Sequence, residues 1–301
     1  MPTIRSFIEK HQLPSSYPLL VEKWFKPLAD DLASQKKGMA ETFVVGISGA
    51  QGSGKSTLAA ILVHLFESEY GLKALALSLD DFYYTRDERT QLAKTIHPLL
   101  QTRGVPGTHD LALATQVLKQ LKFLEGICFV PRFNKLIDDR RPEAEWSQVL
   151  GEVDIVILEG WCLGAEPQHV DDLVSPVNDL ESVEDVDCIW RNYVNQQLRD
   201  GYPDLFSYID SWVMLKAPSF DCIYQWRLEQ ESKLRMSEGS GKSNAYNAMA
   251  IMSDNDIARF IMFFQRITEQ QLLKLPEKVD YLFELNGQRE IRQLIQKDNK
   301  K

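Results

Sequence analysis

The chain has 301 residues, of which 44% are apolar, and its formal net charge is −9. This length and composition allow one or two domains with a sizeable buried core and do not indicate a disordered protein. The acidic balance argues against a protein whose main role is to coat nucleic acid or an anionic membrane.

The cysteines and the amino-terminal residues indicate the cellular environment. The four cysteines, Cys128, Cys162, Cys188 and Cys222, form no CxxC pair, so the sequence predicts neither a zinc site nor a redox motif. The first residues, MPTIRSFIEKHQLP, are too charged for a signal peptide, and no apolar run approaches the length of a membrane span. We expect a cytoplasmic protein with reduced thiols, and the sequence indicates nothing about its oligomeric state.

Residues 1–40 are predicted to form an amino-terminal helical extension. Two helical patterns are separated by residues 13–16, LPSS, and the second carries apolar residues at helical spacing. Its aromatic side chains Trp24 and Phe25 are expected to be packing surface.

Residues 42–58, TFVVGISGAQGSGKSTL, combine an apolar run, a glycine-rich turn and a helical pattern. The turn fits GxxxxGK[S/T], the phosphate-binding loop (P-loop) that precedes a helix. Glycines let backbone amides surround an anion, and the first amides of the helix add to the positive potential. The pattern predicts that Lys55 contacts the β- and γ-phosphates and that Ser56 binds Mg²⁺. The predicted nucleotide-binding residues of the loop are Gly49, Ala50, Gln51, Gly52, Ser53, Gly54, Lys55, Ser56 and Thr57.

The letters GSGKS occur a second time, in residues 239–243. Met236 stands where the first glycine of the motif is needed, and a polar helical pattern precedes the repeat instead of a strand. We interpret this segment as a flexible loop and not as a second nucleotide site.

Two apolar runs of strand length end in acidic residues. Residues 73–79 lead into Asp80 and Asp81, and residues 153–158 lead into Glu159. Open α/β sheets bind ligands at the carboxyl ends of their strands, so these carboxylates are candidate site residues. Since neighbouring residues leaving a strand point in opposite directions, only one of the two aspartates is expected to reach the site. The alternatives are a loop-capping role for the aspartates and a structural ion pair for Glu159.

Residues 100–110, LQTRGVPGTHD, are predicted to form a loop that carries Arg103 and His109. A helix over 111–122, capped by Asp110, and a short strand over 127–130 are expected to follow. Residues 134–138, NKLID, differ from the guanine-reading NKxD motif because the aspartate falls one residue late. This difference argues against a GTPase.

The second half of the chain continues the alternation of strands and helices. The patterns predict a helical insertion at 166–208, a strand at 211–215, a helix at 220–235 and a mobile lid loop at 237–252. A long helix at 254–275, a strand at 278–285 and a short terminal helix complete the chain. The sequence predicts one α/β domain in which helices cover both faces of a mostly parallel sheet.

Five segments, taken in chain order, resemble a known family. They are GISGAQGSGKST, SLDDFY, RGVPGTHD, VILEGW and WRLEQESKLR. Together they are similar to the P-loop small-molecule kinases that include uridine kinase, phosphoribulokinase and pantothenate kinase. Within that branch the similarity is greatest to the D-glycerate 3-kinases, and it covers roughly residues 40–290. The resemblance implies the three-layer P-loop NTPase fold and the use of ATP and Mg²⁺.

The resemblance also implies roles for individual residues. Asp80 matches the general base of these kinases, and Glu159 matches the acidic, metal-associated residue after the second central strand. Arg103 and His109 match the acceptor-binding loop. Tyr83 is a further candidate acceptor residue, as is Arg132, whose positive charge near the carboxyl edge suits an anionic acceptor. Cations on the helix that leads into the lid would bind the phosphates; these are Arg227, Lys233 and Arg235. One departure is Asn134, which stands where relatives often have an aspartate.

These observations predict a kinase that transfers the γ-phosphate of ATP to a hydroxyl group of a small polar acid, with D-glycerate as the leading acceptor. Two alternatives remain open at this stage. The acceptor could be a nucleoside or pantothenate, or the chain could be a P-loop ATPase that acts as a switch.

Overall fold

The computed structural model describes residues 4–11, 13–123, 126–238 and 253–297. The amino-terminal helices precede the central sheet. They are α1 (Ile4–Lys10), α2 (Tyr17–Leu20) and α3 (Lys26–Lys36), the last two being joined by the π-helical turn Val21–Phe25. The break between the two predicted helices is confirmed at Pro14.

A six-stranded sheet forms the centre of the fold, in the order β10-β9-β8-β1-β7-β2. All neighbouring pairs are parallel except β9 and β10. Its strands are β1 (Phe43–Gly49), β2 (Ala74–Ser78), β7 (Ile155–Gly160), β8 (Ser211–Lys216), β9 (Tyr281–Leu285) and β10 (Ile291–Gln296). In this register Ser78 of β2 is opposite Glu159 of β7, so the residues that follow β2 lie at the same sheet edge as Glu159.

Helices cover both faces of this sheet. The longer ones are α4 (Lys55–Glu69), α5 (Arg86–Thr95), α6 (Leu111–Lys122), α7 (Ile189–Asp200), α9 (Phe220–Glu238) and α10 (Asp254–Lys274), and α8 (Tyr202–Phe206) is short. In β1, Val44 packs into one apolar core with α6, α7 and α10, whereas Val45 and Ile47 pack into the opposite core with α3 and α4. Burial on both faces explains the uninterrupted apolar run of this strand. The predicted α/β fold with a mostly parallel sheet is confirmed.

Two small antiparallel pairs lie outside the central sheet. One joins β3 (Ile127–Val130) to β6 (Ser147–Leu150), and the other joins β4 (Phe133–Asn134) to β5 (Asp139–Arg140). The predicted strand at 127–130 is therefore real but does not belong to the central sheet. The turn between β4 and β5 carries Lys135 towards the carboxyl edge of the sheet, where it contacts Asp80.

Residues 166–208, predicted as a helical insertion, contain α7, α8, the 3₁₀ turn Val170–Leu173 and the π turn Leu180–Glu184. A buried ionic cluster binds this segment to α10. Glu181 accepts hydrogen bonds from Arg266 at 2.6 and 2.8 Å, and Arg191 lies 3.4 Å from Asp185. Because each buried charge has a partner of opposite sign, the cluster fixes the segment against the helix.

The predicted terminal helix is wrong, since residues 291–296 form the edge strand β10. A turn over 286–290 reverses the chain, with Arg289 at a positive φ of 66°. The Asn286 side chain accepts hydrogen bonds from the amides of Gln288 and Glu290. This Asn-Gly turn is a hairpin signal that outweighs the weak helical pattern of the last residues.

The predicted lid loop, residues 237–252, overlaps the last two residues of α9. Residues 237 and 238 belong to this helix, and residues 239–252, which include the second GSGKS, lie outside the described residues. Within the described ranges, no helix has both the length and the apolar character that crossing a membrane requires.

Candidate active site

The P-loop lies between β1 and α4, and its glycines are required by the local geometry. A Cβ at Gly49 would come within 2.7 Å of the Ser53 hydroxyl and 3.0 Å of the Leu215 carbonyl oxygen. Gly54 precedes α4 with a φ of 97°, a conformation that L side chains rarely adopt. The loop therefore exposes its backbone amides and the amino end of α4 to one cavity, as phosphate binding requires.

This cavity has a volume of about 290 Å³ and lies at the carboxyl edge of the sheet. It brings together residues that are far apart in the sequence. Its lining consists of Gln51, Gly52, Lys55, Ser56, Asp80, Tyr83, Arg103, Lys135, Glu159, Trp161, Arg227, Phe260 and Phe264. Nine of the predicted site residues are in this list, and four lining residues were not predicted.

The predicted metal residues contact each other. The Ser56 hydroxyl donates a hydrogen bond of 2.8 Å to Glu159 Oε1, and Lys55 Nζ lies 3.9 Å from Glu159 Oε2. The serine and the glutamate present hard oxygen donors beside the phosphate-binding loop. Mg²⁺ characteristically binds one or two protein oxygens together with phosphates and water, so these residues fit the ion.

Both carboxylate oxygens of Asp80 have hydrogen-bond donors. Oδ1 accepts from the Tyr83 hydroxyl at 2.9 Å, and Oδ2 accepts from Lys135 Nζ at 2.6 Å. Burial alone would raise the pKa of Asp80, but the positive charges of Lys135 and Lys55 outweigh burial and hold this pKa below its usual value. The side chain is consequently a carboxylate at neutral pH and can accept a proton.

Asp81 faces a different part of the protein. Its Oδ2 accepts a hydrogen bond of 2.8 Å from Arg132, and its Oδ1 accepts one of 3.0 Å from the Phe133 amide. Arg132 also donates to the Ser147 hydroxyl at 3.0 Å. Neither Asp81 nor Arg132 lines the cavity, so the pair braces the β4 segment in this structure.

His109 lies behind Tyr83 instead of lining the cavity. Its ring stacks on Tyr83 with centroids 4.6 Å apart, and Nδ1 lies 2.6 Å from the Tyr202 hydroxyl. Burial lowers the pKa of His109 to about 4, although Asp80 opposes this shift. The neutral imidazole therefore positions Tyr83, which in turn donates to Asp80.

Of the four arginines predicted to contact ligands, Arg103 and Arg227 line the cavity. Arg103 forms an ion pair with Asp138 and lies 5.4 Å above the Phe133 ring. Arg227, on α9, lies 6.0 Å from the Phe260 ring. The side chains of Lys233 and Arg235 are outside the described part of the structure, so their predicted contacts with phosphate remain predictions.

An aromatic wall was missed by the sequence reasoning. Trp161 Nε1 donates to the Gly104 carbonyl at 2.8 Å, and the Trp161 and Phe264 rings meet edge to face at 4.9 Å. Phe260 lies one helical turn before Phe264, and both side chains face the cavity. Phe260 and Phe264 are spaced as residues on the buried face of any helix are, so the sequence alone did not indicate a role in the site.

Comparisons with known proteins agree with this geometry. No family model matches the chain. The chain is 33% identical over 290 residues to the Schizosaccharomyces pombe protein named "Uncharacterized kinase mug58", covering 91% of each protein. It is 34% identical over 210 residues to the chloroplastic D-glycerate 3-kinase of Arabidopsis thaliana, which covers 67% of this chain and 43% of the plant protein.

A solved structure supports the same assignment. The D-glycerate 3-kinase of Cryptococcus neoformans superposes with a TM-score of 0.75 at 28% identity, over 91% of this chain and 99% of that chain. The similarity thus extends over most of this chain. This chain belongs to the D-glycerate 3-kinase-like branch of the P-loop small-molecule kinases.

Proposed function

We propose that the protein transfers the γ-phosphate of ATP to a hydroxyl group of a small hydroxy acid, with D-glycerate as the leading acceptor. The observation that carries this proposal is the position of Asp80. It shares one cavity with Lys55, Ser56 and Glu159, and Arg103 and Lys135 line the same cavity. A carboxylate in this place can take a proton from an acceptor hydroxyl, whereas nucleotide binding alone does not require one.

The nucleotide side of the cavity would bind and orient the phosphates. The amides of the loop and the amino end of α4 would surround the phosphate oxygens, and Lys55 would place its charge against them. When bound, Mg²⁺ would supply further positive charge to the phosphates, and Ser56 and Glu159 would hold it directly or through water. Arg227 also lines the cavity and would add a further cation.

Asp80 would act on the acceptor side. Its carboxylate would accept a hydrogen bond from the acceptor hydroxyl, orient the oxygen in line with the γ-phosphate and receive the proton as the new P–O bond forms. The Tyr83 hydroxyl, fixed by stacking on His109, would hold the other carboxylate oxygen in place. The aromatic wall of Trp161, Phe260 and Phe264 would exclude water from the reacting atoms.

An acid as acceptor is favoured by the charges around Asp80. Lys135 and Arg103 both line the cavity, and an anionic acceptor would be attracted to them, whereas a nucleoside would not require them. Two of the relatives described above are named D-glycerate 3-kinases, which supports the same acceptor.

A coupled assay of ADP release tests this proposal. Hydroxy acids including D-glycerate, nucleosides and pantothenate would be offered separately with ATP and Mg²⁺, with water as the control. We expect release that depends on D-glycerate, and phosphorus NMR of the product identifies the hydroxyl that is modified. Release that does not depend on any acceptor would favour the ATPase alternative, and release that depends on a nucleoside would refute the acid acceptor.

A further inference from the structure

Each carboxylate oxygen of the candidate base already accepts a hydrogen bond from a protein donor. Tyr83 donates to Oδ1 of Asp80, and Lys135 donates to Oδ2. An acceptor hydroxyl needs one of these oxygens before it can transfer its proton. One of the two donors must therefore move or share its oxygen when the acceptor binds.

The two donors differ in how firmly they are fixed. Tyr83 is 4% exposed, its ring stacks on His109, and its backbone forms a bridge with that residue. The Lys135 side chain is 61% exposed and extends from the turn between β4 and β5. A lysine side chain is a flexible stem with a compact charge, so it can change partner without moving the backbone. Lys135 is the donor that can leave Asp80.

Two neighbouring cations have carboxylate partners of their own. Arg103 pairs with Asp138, and Arg132 pairs with Asp81. A ligand that attracts either arginine would leave the hydrogen bonds of Asp80 unchanged. A ligand that attracts Lys135 would instead release Oδ2 of the base.

We propose that Lys135 recognises the carboxylate of the acceptor, and that its movement from Asp80 to this carboxylate frees Oδ2 for the acceptor hydroxyl. This inference rests on the proposed function and adds a specificity-determining residue to it. In the reaction that follows, the hydroxyl oxygen forms a bond to the γ-phosphorus, the bond from that phosphorus to the β–γ bridging oxygen breaks, and the hydroxyl proton passes to Asp80. The products are the phosphorylated acid, ADP and a proton that Asp80 later gives to water.

Two consequences distinguish this arrangement from a purely structural ion pair. An uncharged alcohol offers Lys135 no anion, so it binds to an enzyme whose base remains occupied. Water likewise has no negative charge to attract Lys135. The ion pair between Lys135 and Asp80 therefore also suppresses hydrolysis of ATP in the absence of acceptor. Selection for negative charge and protection of ATP would thus depend on one side chain.

The test compares two acceptors in three variants. D-glycerate and glycerol have the same carbon skeleton and differ in the carboxylate, so the ratio of their kcat/KM values measures selection for charge. Lys135→Gln removes the charge, Lys135→Arg retains it, and Lys94→Gln removes an exposed charge from α5 as the control. ADP release without acceptor is measured in the same preparations, and thermal melting checks that each variant is folded.

For Lys135→Gln we expect kcat/KM for D-glycerate to fall by roughly 10- to 100-fold, the worth of a hydrogen bond between charged groups. The value for glycerol and ADP release without acceptor are both expected to rise, because the variant no longer holds Oδ2 of Asp80 with a charged donor. Lys135→Arg is expected to restore most of the selection for charge, and Lys94→Gln to behave as the wild type.

Each contrary outcome has a separate meaning. Equal losses with D-glycerate and glycerol in Lys135→Gln would refute charge recognition and assign Lys135 to the positioning of Asp80. An unchanged rate of ADP release without acceptor would refute its role in occupying the base. A wild-type enzyme that releases no ADP in response to D-glycerate would refute the proposed function itself, before any variant is compared.

Discussion

Ser56 and Glu159 are 103 positions apart in the chain, yet the serine hydroxyl donates a hydrogen bond of 2.8 Å to the glutamate carboxylate. The parallel pairing of β1 with β7 produces this contact, because it aligns the P-loop with the end of β7. The pair therefore joins the two parts of the sequence that were predicted separately to bind Mg²⁺.

A matched pair of variants at Ser56 tests this role. Ser56→Ala removes the hydroxyl ligand and is expected to lower kcat by roughly 100-fold or more, since charge stabilisation at the phosphates is lost. Ser56→Thr keeps the hydroxyl and is expected to stay within about tenfold of the wild type, as the P-loop pattern accepts either residue. The measurement is acceptor-dependent ADP formation over a titration of Mg²⁺. Equal activities of the two variants would contradict the assignment.

Asp80 and Asp81 provide a second matched pair. Asp80→Asn keeps the shape of the side chain and loses the proton acceptor, so phosphoryl transfer is expected to fall by roughly 10²- to 10⁴-fold with little change in ATP affinity. Asp81→Asn weakens the ion pair with Arg132 and is expected to lower the melting temperature more than the rate. Rates, ATP affinity and melting temperature are measured for both. A large loss of transfer in Asp81→Asn alone would contradict the assignment of the base.

The contrast between these neighbours shows how far sequence reasoning extends. The buried strand before Asp80 and the alternation of side-chain directions were enough to predict that only one aspartate faces the site. The P-loop and Glu159 could be predicted in the same way, because each follows an apolar run of strand length in the sequence. Local patterns and the rules of parallel sheets determine this part of the site.

The missed residues depend on contacts between distant segments. Lys135 reaches Asp80 from a two-residue strand pair, and no periodic pattern predicts where such a turn is placed. Phe264 has the spacing of a core residue, and it lines the cavity because the buried cluster around Glu181 and Arg266 binds α10 to residues 166–208. Arg132 was expected to bind the acceptor because a cation near the carboxyl edge of the sheet suits an anion, and the structure instead gives it Asp81 as its partner.

Gly104 connects the acceptor loop to the aromatic wall. Its φ is 136°, and a Cβ at this position would approach the Phe264 ring to 2.6 Å. Gly104→Ala is expected to reduce the free energy of unfolding by roughly 1–3 kcal/mol through backbone strain and overpacking. It is also expected to lower transfer, because Phe264 or the loop must shift at the cavity wall.

Gly71→Ala is the control for the glycine variant. Gly71 also has a positive φ, 64°, but a Cβ there would meet no atom within 4 Å. We expect a stability loss of about 1–2 kcal/mol and unchanged transfer. Denaturant unfolding and ADP formation are measured for both variants. Normal transfer in a folded Gly104→Ala protein would show that the wall tolerates this displacement.

The buried imidazole of His109 makes stability depend on pH. Its side chain is 1% exposed, and burial lowers its pKa to about 4, whereas the pKa of an unfolded histidine is about 6.5. Between these values the unfolded chain binds a proton that the folded chain excludes, so the stabilising contribution is complete above about pH 6.5 and is lost as the pH falls towards 4. The predicted loss between pH 7 and pH 5 is about 2 kcal/mol in the free energy of unfolding.

Denaturant unfolding at pH 7 and pH 5 measures this loss, and His109→Gln separates it from other titrations. The variant cannot bind the proton, so its stability is expected to change less between the two pH values than that of the wild type, even if it is less stable at both. His169→Gln, at a side chain that is 72% exposed, is the control and is expected to keep the wild-type pH dependence. Asp80 also titrates, but its pKa is lowered in the folded protein. The stability that this carboxylate contributes is therefore lost only at pH values below the usual aspartate range, outside the interval from pH 7 to pH 5. Identical pH dependence in the wild type and His109→Gln would show that the pKa of His109 is the same in the folded and unfolded protein, and would contradict the lowering of this pKa by burial.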